Sequence, residues 1–586
     1  MVCNSRFAIQ QGVQVPNLAS WALGQCARRL PQDWQRRYGY APLLLETYVE
    51  QGRFVGTCYR AANWVGVGST SGRGRQDREH RSDLAVKDIY LYRLREDARA
   101  LLAEQPPETE APAPPTPPAD WAEQEFGAAD LKDRRLRKRL LMLARDFYAQ
   151  PLANLPEACG SLARTKAAYR FFAHQRVTMT EVLQSHYQAT AARIGKQAVV
   201  LAVQDTTTLN YSTRPAMENL GPIGTSPDGS LGLWVHDTMA YTVEGTPLGL
   251  LDVQCWARDA EQFGKRALRY QLPIEAKESH RWLVSFRAVA AAQRQHPDTM
   301  LVSVGDREAD IYELFLLAQN DPAHPKLLVR ADRDRLLVDR QQHLWESLAR
   351  QEPAGLQEVR VPRRGNRPAR VAQLELRFAQ VELQPPKRKP QLAPIRLWAI
   401  MATERDPEAG ASPIRWLLLT TVEVTDLESA VEKLRWYALR WQIEVFHRTL
   451  KSGCRIEDRQ LRDADRLEAC LAIDMVVAWR IVHLTKLGRE TPEVPCTVYF
   501  GEFEWKALVG FINHNPIPPP KPPSLREAIR LVARLGGFLG RKGDGEPGTE
   551  TLWRGLQRLD DIAEAWQMFS QWFLPSGPVS SYHHYG

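Results

Sequence analysis

Four side chains able to grip a phosphodiester fall within one short stretch of this sequence, YALRWQIEVFHRTLK at 437–451: Tyr437, Arg440, Glu444 and Lys451. At ~100° per residue, a helix over these positions gathers all four within about 60° of one another. The two cations suit phosphate oxygens, and the acid suits a hard metal ion. Leu439, Ile443, Phe446 and Leu450 give the same helix a surface to bury. The pattern also describes an amphipathic helix with a solvated charged stripe and an Arg440–Glu444 pair one turn apart.

Two aspartates stand where buried strands are expected to end. QAVVLAVQDTTTLNYS reads as a central strand delivering Asp205 to its edge, and TMLVSVGDREADIYELFLLAQ repeats the arrangement with Asp306 and then a helix. Taken singly, each aspartate fits a turn or a helix cap. Between them, LWVHDTMAYTVEG and PLGLLDVQCWAR predict two strands joined by a turn at Glu244 and Gly245, and KESHRWLVSFRAVAAAQRQ predicts a helix. Arg330 and Arg333 follow at the end of the strand in KLLVRADRDRLLV. Alternation in GNRPARVAQLELRFAQVEL, then IRLWAIMATE and PIRWLLLTTVEV, predicts a β-rich insertion at about 336–425, ahead of the acid-bearing helix.

The elements that must position these groups fit a large soluble chain. Its 586 residues allow three or four domains, and 44% hydrophobic content supplies an ordinary core. A formal charge of +8 favours a polyanionic partner. Eight scattered cysteines without a C-x-x-C pair indicate neither a zinc site nor a disulfide framework. No apolar run reaches transmembrane length and MVCNSRFAIQQ lacks the apolar core of a secretory signal, so the expectation is a reducing cytoplasm and no membrane.

Residues 1–103 read as an α/β unit, with a helix in NLASWALGQCARRLPQDW and a strand in APLLLETYV. EQPPETEAPAPPTPPA at 104–119 cannot pack a core and reads as an extended spacer. Residues 120–195 read as helical, with Arg134, Arg135, Arg137, Lys138 and Arg139 crowded beside Leu140, Leu141 and Leu143, and with Arg164, Lys166 and Arg170 on a second helix. Clustered arginines of this kind suit DNA phosphates and guanine edges, and equally describe a basic solvated face. A second proline block, PIPPPKPP, precedes a final segment, SLREAIRLVARLGGF and onward, whose residue pattern also suits a plain helical cap.

Tyr-x2-Arg-x3-Glu-x6-Lys, together with the QDTT and DREAD contexts, resembles the insertion-sequence family-four DDE transposases, whose best-known member is the transposon-five transposase. The similarity runs from about residue 119 to 570. It implies an α/β, ribonuclease H-like catalytic core at 196–480 carrying the β insertion, a helical DNA-end-binding domain at 120–195, and a helical dimerisation region at 481–586. It further implies that Asp205, Asp306 and Glu444 bind two Mg²⁺ or Mn²⁺ ions for cut-and-paste transposition through a hairpin intermediate. Arg134, Arg135 and Lys138 then contact the transposon end. Arg330 and Arg333 join the DNA contacts, and Tyr437, Arg440 and Lys451 position phosphates, with Arg448 assisting where the family has Lys. Trp416, 21 positions before Tyr437, matches the residue on which a flipped base stacks; as one of 17 tryptophans it also suits core packing. The implied partners are double-stranded DNA, as inverted-repeat ends and as target, and a second copy of the chain, in a bacterial, nucleoid-associated setting.

Residues 1–103 resemble part of a domain of unknown function found in Druantia anti-phage protein A, itself similar to half an acetyltransferase fold. Two other functions stand beside the transposase reading: a DNA-binding or defence-associated protein derived from a transposase without transposition activity, and an acyltransferase fused to a DNA-targeting module, which residues 1–103 alone support. On that resemblance the unit is expected to be truncated, since an acetyltransferase should supply further strands and a pyrophosphate-binding turn ahead of it.

Overall fold

The computed structural model describes residues 2–570, apart from 5–6, 10–11, 39–40, 71–84, 99–119, 215, 225–228, 260–271, 339–341, 362–369, 408–412 and 542. The chain divides into two compact units, Met1–Pro115 and Thr116–Gly586. The expected proline-rich spacer at 104–119 lies outside the described residues.

In the first unit, β1 (Val2–Cys3), α1 (Leu18–Tyr38), β2 (Leu44–Glu50), α2 (Thr57–Ala61), β3 (Val65–Ser69) and β4 (Lys87–Arg93) build a sheet ordered β1-β2-β4-β3. Alternation in β2 buries Leu45 and Val49 against Leu23 and Ala27 of α1. Tyr59 anchors this core, edge-on to Trp64 at 5.3 Å and stacked on Tyr90 at 6.0 Å.

The second unit opens with the helices α3 (Trp121–Phe126), α4 (Arg134–Ala149), α5 (Leu155–Cys159), α6 (Leu162–Phe172) and α7 (Met179–Ile194). Side-chain caps start them: Asp133 accepts from the Arg135 amide at the head of α4, and Thr178 from the Glu181 amide at the head of α7. Leu140, Leu143, Ala144 and Phe147 turn one face of α4 inward and leave Arg134, Arg135, Arg137 and Lys138 outside.

The sheet follows: β5 (Val199–Asn210), β6 (Gly221–Pro222), β7 (Leu231–Tyr241), β8 (Pro247–Trp256), then α8 (His280–Gln295), β9 (Met300–Gly305), α9 (Tyr312–Asn320) and β10 (Lys326–Arg330). β8 pairs antiparallel with β7 and β7 with β5, while β9 runs parallel to β5 and β10 parallel to β9. Period-two alternation sends Leu201 and Val203 to one core and Val200 and Ala202 to the other. The β-rich stretch supplies α10 (Leu344–Ala349), β11 (Gly355–Val361), β12 (Arg370–Leu383), β13 (Ile395–Arg405) and β14 (Arg415–Thr420). It is continuous with the central sheet, because β14 pairs antiparallel with β10.

Two expectations need correcting. Asp205 is not at a strand end: β5 continues five residues past it, from Thr206 to Asn210, because β7 pairs with it along the whole length. The 437–451 stretch is not one helix either. α11 (Leu427–Leu439) and α12 (Trp441–Arg448) meet at Arg440, and a π-helical turn takes over at Thr449–Gly453. At the junction the Arg440 amide bonds the Tyr437 carbonyl, a tighter i−3 contact.

Then comes α13 (Ala464–Glu490), buried nearly all round, followed by α14 (Glu502–Ile512), α15 (Leu525–Leu535) and α16 (Thr549–Ser570). Buried residues of α4, α7, α13 and α15 share one core with the β5–β7 face of the sheet. Arg459 pins these layers: it pairs with Asp474 of α13 at 2.7 Å, donates to the Ala153 carbonyl at 3.1 Å and lies 4.2 Å over the Phe147 ring.

Candidate functional site

The parallel ladder between β5 and β9 reaches Val203 opposite Val304. Asp205 and Asp306 each lie two positions beyond that rung, so period-two alternation brings them to neighbouring places on one face. Asp306 heads a 3₁₀ turn, its Oδ1 accepting from the Glu308 amide at 2.8 Å. Asp205 Oδ1 accepts from the Thr206 amide at 2.8 Å.

α12 links Glu444 to Asp205 through Arg440. Arg440 donates through Nη2 to Glu444 Oε1 at 2.6 Å and reaches Asp205 Oδ2 through Nη1 at 3.5 Å. Burial pushes the Asp205 carboxyl up to about 6 and nearby Asp306 adds to this, against the opposing pull of His447 and Arg440. Asp205 and Glu444 thus share a cation already, the guanidinium. The donor set is all hard carboxylate oxygen, which fits Mg²⁺ or Mn²⁺. Among the described residues no three His, Cys, Asp or Glu side chains converge closely enough to hold a metal ion; Arg440 stands between two of the three acids in this conformation.

Tyr437 is buried at the end of α11, 5.4 Å from Trp416 in an edge-on contact. Burial raises the Tyr437 pKa, with Arg440 and Arg330 opposing it and Asp306 reinforcing it. Arg330 also donates to the Arg415 carbonyl at 3.3 Å, beside Trp416 on β14. Contacts thus run from Trp416 to Tyr437, from the Tyr437 carbonyl to the Arg440 amide, and from the Arg440 guanidinium to Asp205 and Glu444. Arg333 is exposed on the next loop, which Asp310 fixes by accepting the Asp332 and Arg333 amides at 2.8 and 2.9 Å and the buried Arg335 guanidinium at 3.1 Å.

Lys451 lies on the π-helical turn, where burial lowers its pKa and Glu457 resists. Arg448 is exposed on the last turn of α12. Arg134, Arg135 and Lys138 are exposed on α4, a separate basic surface from the carboxylates, with Arg135 held by Asp133 at 3.1 Å. Arg164 is committed to Asp146.

Sequence reasoning missed three neighbours. Asp237 and His236, adjacent on β7, are fully buried. His236 Nδ1 lies 2.8 Å from Thr206 Oγ1, to which Arg281 Nε also donates at 3.0 Å. His447, one turn after Glu444, meets Asp237. Their signal was the polar run His236-Asp237-Thr238 in the middle of an apolar strand.

Four family descriptions match this chain in sequence order: Druantia protein DruA at residues 1–94, transposase DNA-binding at 118–177, transposase DDE domain at 306–477, and transposase Tn5 dimerisation domain at 476–571. The DDE match starts at Asp306 and takes in Glu444. Among solved structures, a piggyBac transposase synaptic complex with hairpin DNA aligns over 68% of this chain and 59% of that one, at 8% identity and a TM-score of 0.29. This chain thus spans less than two thirds of that protein.

Proposed function

We propose that this chain, which carries the DNA-binding, DDE and Tn5-type dimerisation segments of a transposase behind a DruA-like unit, is a cut-and-paste DNA transposase using Asp205, Asp306 and Glu444 as its carboxylate triad. The supporting observation is the Arg440 guanidinium held between Asp205 and Glu444, with Asp306 just past the end of the neighbouring parallel strand. The core is read as ribonuclease H-like, on the strength of its β8-β7-β5-β9-β10 order with only the β5–β9 and β9–β10 pairs parallel. The domains run 120–195 for end binding, 196–480 for catalysis and 481–586 for dimerisation, behind the unit at 1–103.

Two Mg²⁺ or Mn²⁺ ions held by the three carboxylates would supply Lewis-acid activation of the nucleophile and charge relief at the leaving 3′ oxygen. Arg440, Lys451 and Tyr437 orient the scissile phosphate, with Arg330, Arg333 and Arg448 along the flanking backbone. In the first step a water oxygen bonds to phosphorus and the 3′ oxygen leaves. The freed 3′ hydroxyl then attacks the opposite strand, closing a hairpin as the 3′ oxygen of the flanking DNA leaves; water opens the hairpin by releasing the same 3′ hydroxyl, which finally attacks target DNA and displaces a target 3′ oxygen. One centre serves each step because only the nucleophile changes. Trp416 holds the base displaced when the strand bends into the hairpin. The working form is a dimer on paired ends, in the bacterial cytoplasm at the nucleoid; no helix among the described residues is long and apolar enough to cross a membrane.

The DruA match supports a second reading, a defence-associated DNA-binding protein without transposition activity. An end-labelled duplex carrying the inverted repeat that flanks this gene separates the two. A hairpin followed by flush ends supports the transposase, whereas end binding with no cut in Mg²⁺ or Mn²⁺ supports the second reading.

A further inference from the structure

Asp205 of β5 faces Asp237 of β7 across the antiparallel ladder. Side chains directly opposite in such a pair project from the same face, so the rung presents two carboxylates together. Asp237 is fully buried, a placement that is costly for an unpaired charge. Its partner arrives 210 residues later: His447 Nε2 lies 2.6 Å from Asp237 Oδ1.

His447 sits three residues after Glu444 on α12, a spacing that puts both on one helix face. The helix pair Glu444/His447 therefore meets the strand rung Asp205/Asp237 face on. Arg440 bridges the first two acids, and the imidazole–carboxylate contact closes the other side. Burial opposes charge on His447, but Asp237, with Asp205 beyond it, outweighs that and raises its pKa. Both residues are buried, so the contact holds the helix to the sheet from beneath.

Resting on the triad reading above, we propose that Asp237 and His447 are positioning residues. Their contact fixes the register of the Glu444 helix against the Asp205 strand, so that the acids can converge on a divalent cation.

The test is Mn²⁺ binding by the full-length protein, read from loss of the free-ion electron paramagnetic resonance signal, with thermal midpoint and DNA-end binding measured alongside. His447→Asn, too short to reach Asp237, is expected to weaken Mn²⁺ binding roughly 10-fold, the scale for partners behind metal ligands. End binding stays at the wild-type level. His447→Gln, which can still donate to Asp237, recovers part of the loss. Should His447→Asn fail to fold, Asp237→Asn/His447→Asn, with no buried charge left unpaired, carries the measurement. A folded variant with wild-type Mn²⁺ affinity overturns the proposal while leaving the triad standing. A wild-type protein that takes up Mn²⁺ no better than Glu444→Ala overturns the triad and the positioning pair together.

Discussion

Asp205 and Asp306 stand two residues beyond the last rung joining their parallel strands, Val203 opposite Val304. Backbone pairing sets this neighbourhood, so the two carboxylates are brought together before any ligand arrives. Burial of Asp205 lifts its pKa to about 6, and Asp306 adds to that rise.

That shift makes a stability prediction. A carboxyl with a raised folded-state pKa binds its proton more tightly when folded, so the protein loses stability as pH rises from about 4 through about 6. Asp205→Asn removes this cost. It is expected to stabilise the metal-free protein by about 2–3 kcal/mol at pH 7.5 and by nothing below about pH 4. Urea denaturation at the two pH values checks it, and an equal gain at both would contradict the assignment of the strain to Asp205.

The Arg459–Asp474 pair makes another. Both side chains are essentially excluded from solvent, at 2% and 1% exposure, so removing one partner leaves an uncompensated charge. Asp474→Ala is expected to cost about 3–5 kcal/mol in equilibrium unfolding. Replacing both residues by apolar side chains of similar volume is expected to cost much less.

How far the sequence revealed the site depended on distance along the chain. Asp306 was legible because a short apolar strand stops before it and a turn follows. Glu444 was legible from the spacing of its neighbours, although the break at Arg440 was not, since neither glycine nor proline marks it. Asp205 was identified but placed at a strand end, since only pairing with β7 carries the strand on through three threonines. Asp237 left only the faint signal of a three-residue polar run in an apolar strand, and its partner His447 stands 210 residues away, so the pairing stayed hidden until the fold brought them together. The connection of β14 to β10, which joins the inserted strands to the central sheet, is likewise a long-range pairing that local alternation cannot report.

Trp416 touches Tyr437 edge-on, with its indole only half buried. Trp416→Ala is expected to leave the first nick largely intact and to slow hairpin closure by about 10–100-fold, matching ~1–3 kcal/mol of base stacking. Denaturing gels that separate nick from hairpin check this; equal slowing of both steps would assign Trp416 to packing alone.

The exposed cations of α4 concern binding, not chemistry. Arg134→Ala, Arg135→Ala and Lys138→Ala together are expected to weaken end binding and to lower the slope of log affinity against log salt by roughly one for each phosphate no longer neutralised. Their thermal midpoint should stay at the wild-type value, since all three side chains lie outside the core.

The most direct test of the central claim compares wild type with Glu444→Ala on a labelled duplex ending in the cognate inverted repeat, in Mg²⁺. The account predicts hairpin and flush-ended products from the wild type, and a variant that binds the duplex equally well and cuts neither strand. Cleavage by Glu444→Ala at the wild-type rate, or binding without cleavage by both proteins in Mg²⁺ and in Mn²⁺, would contradict it.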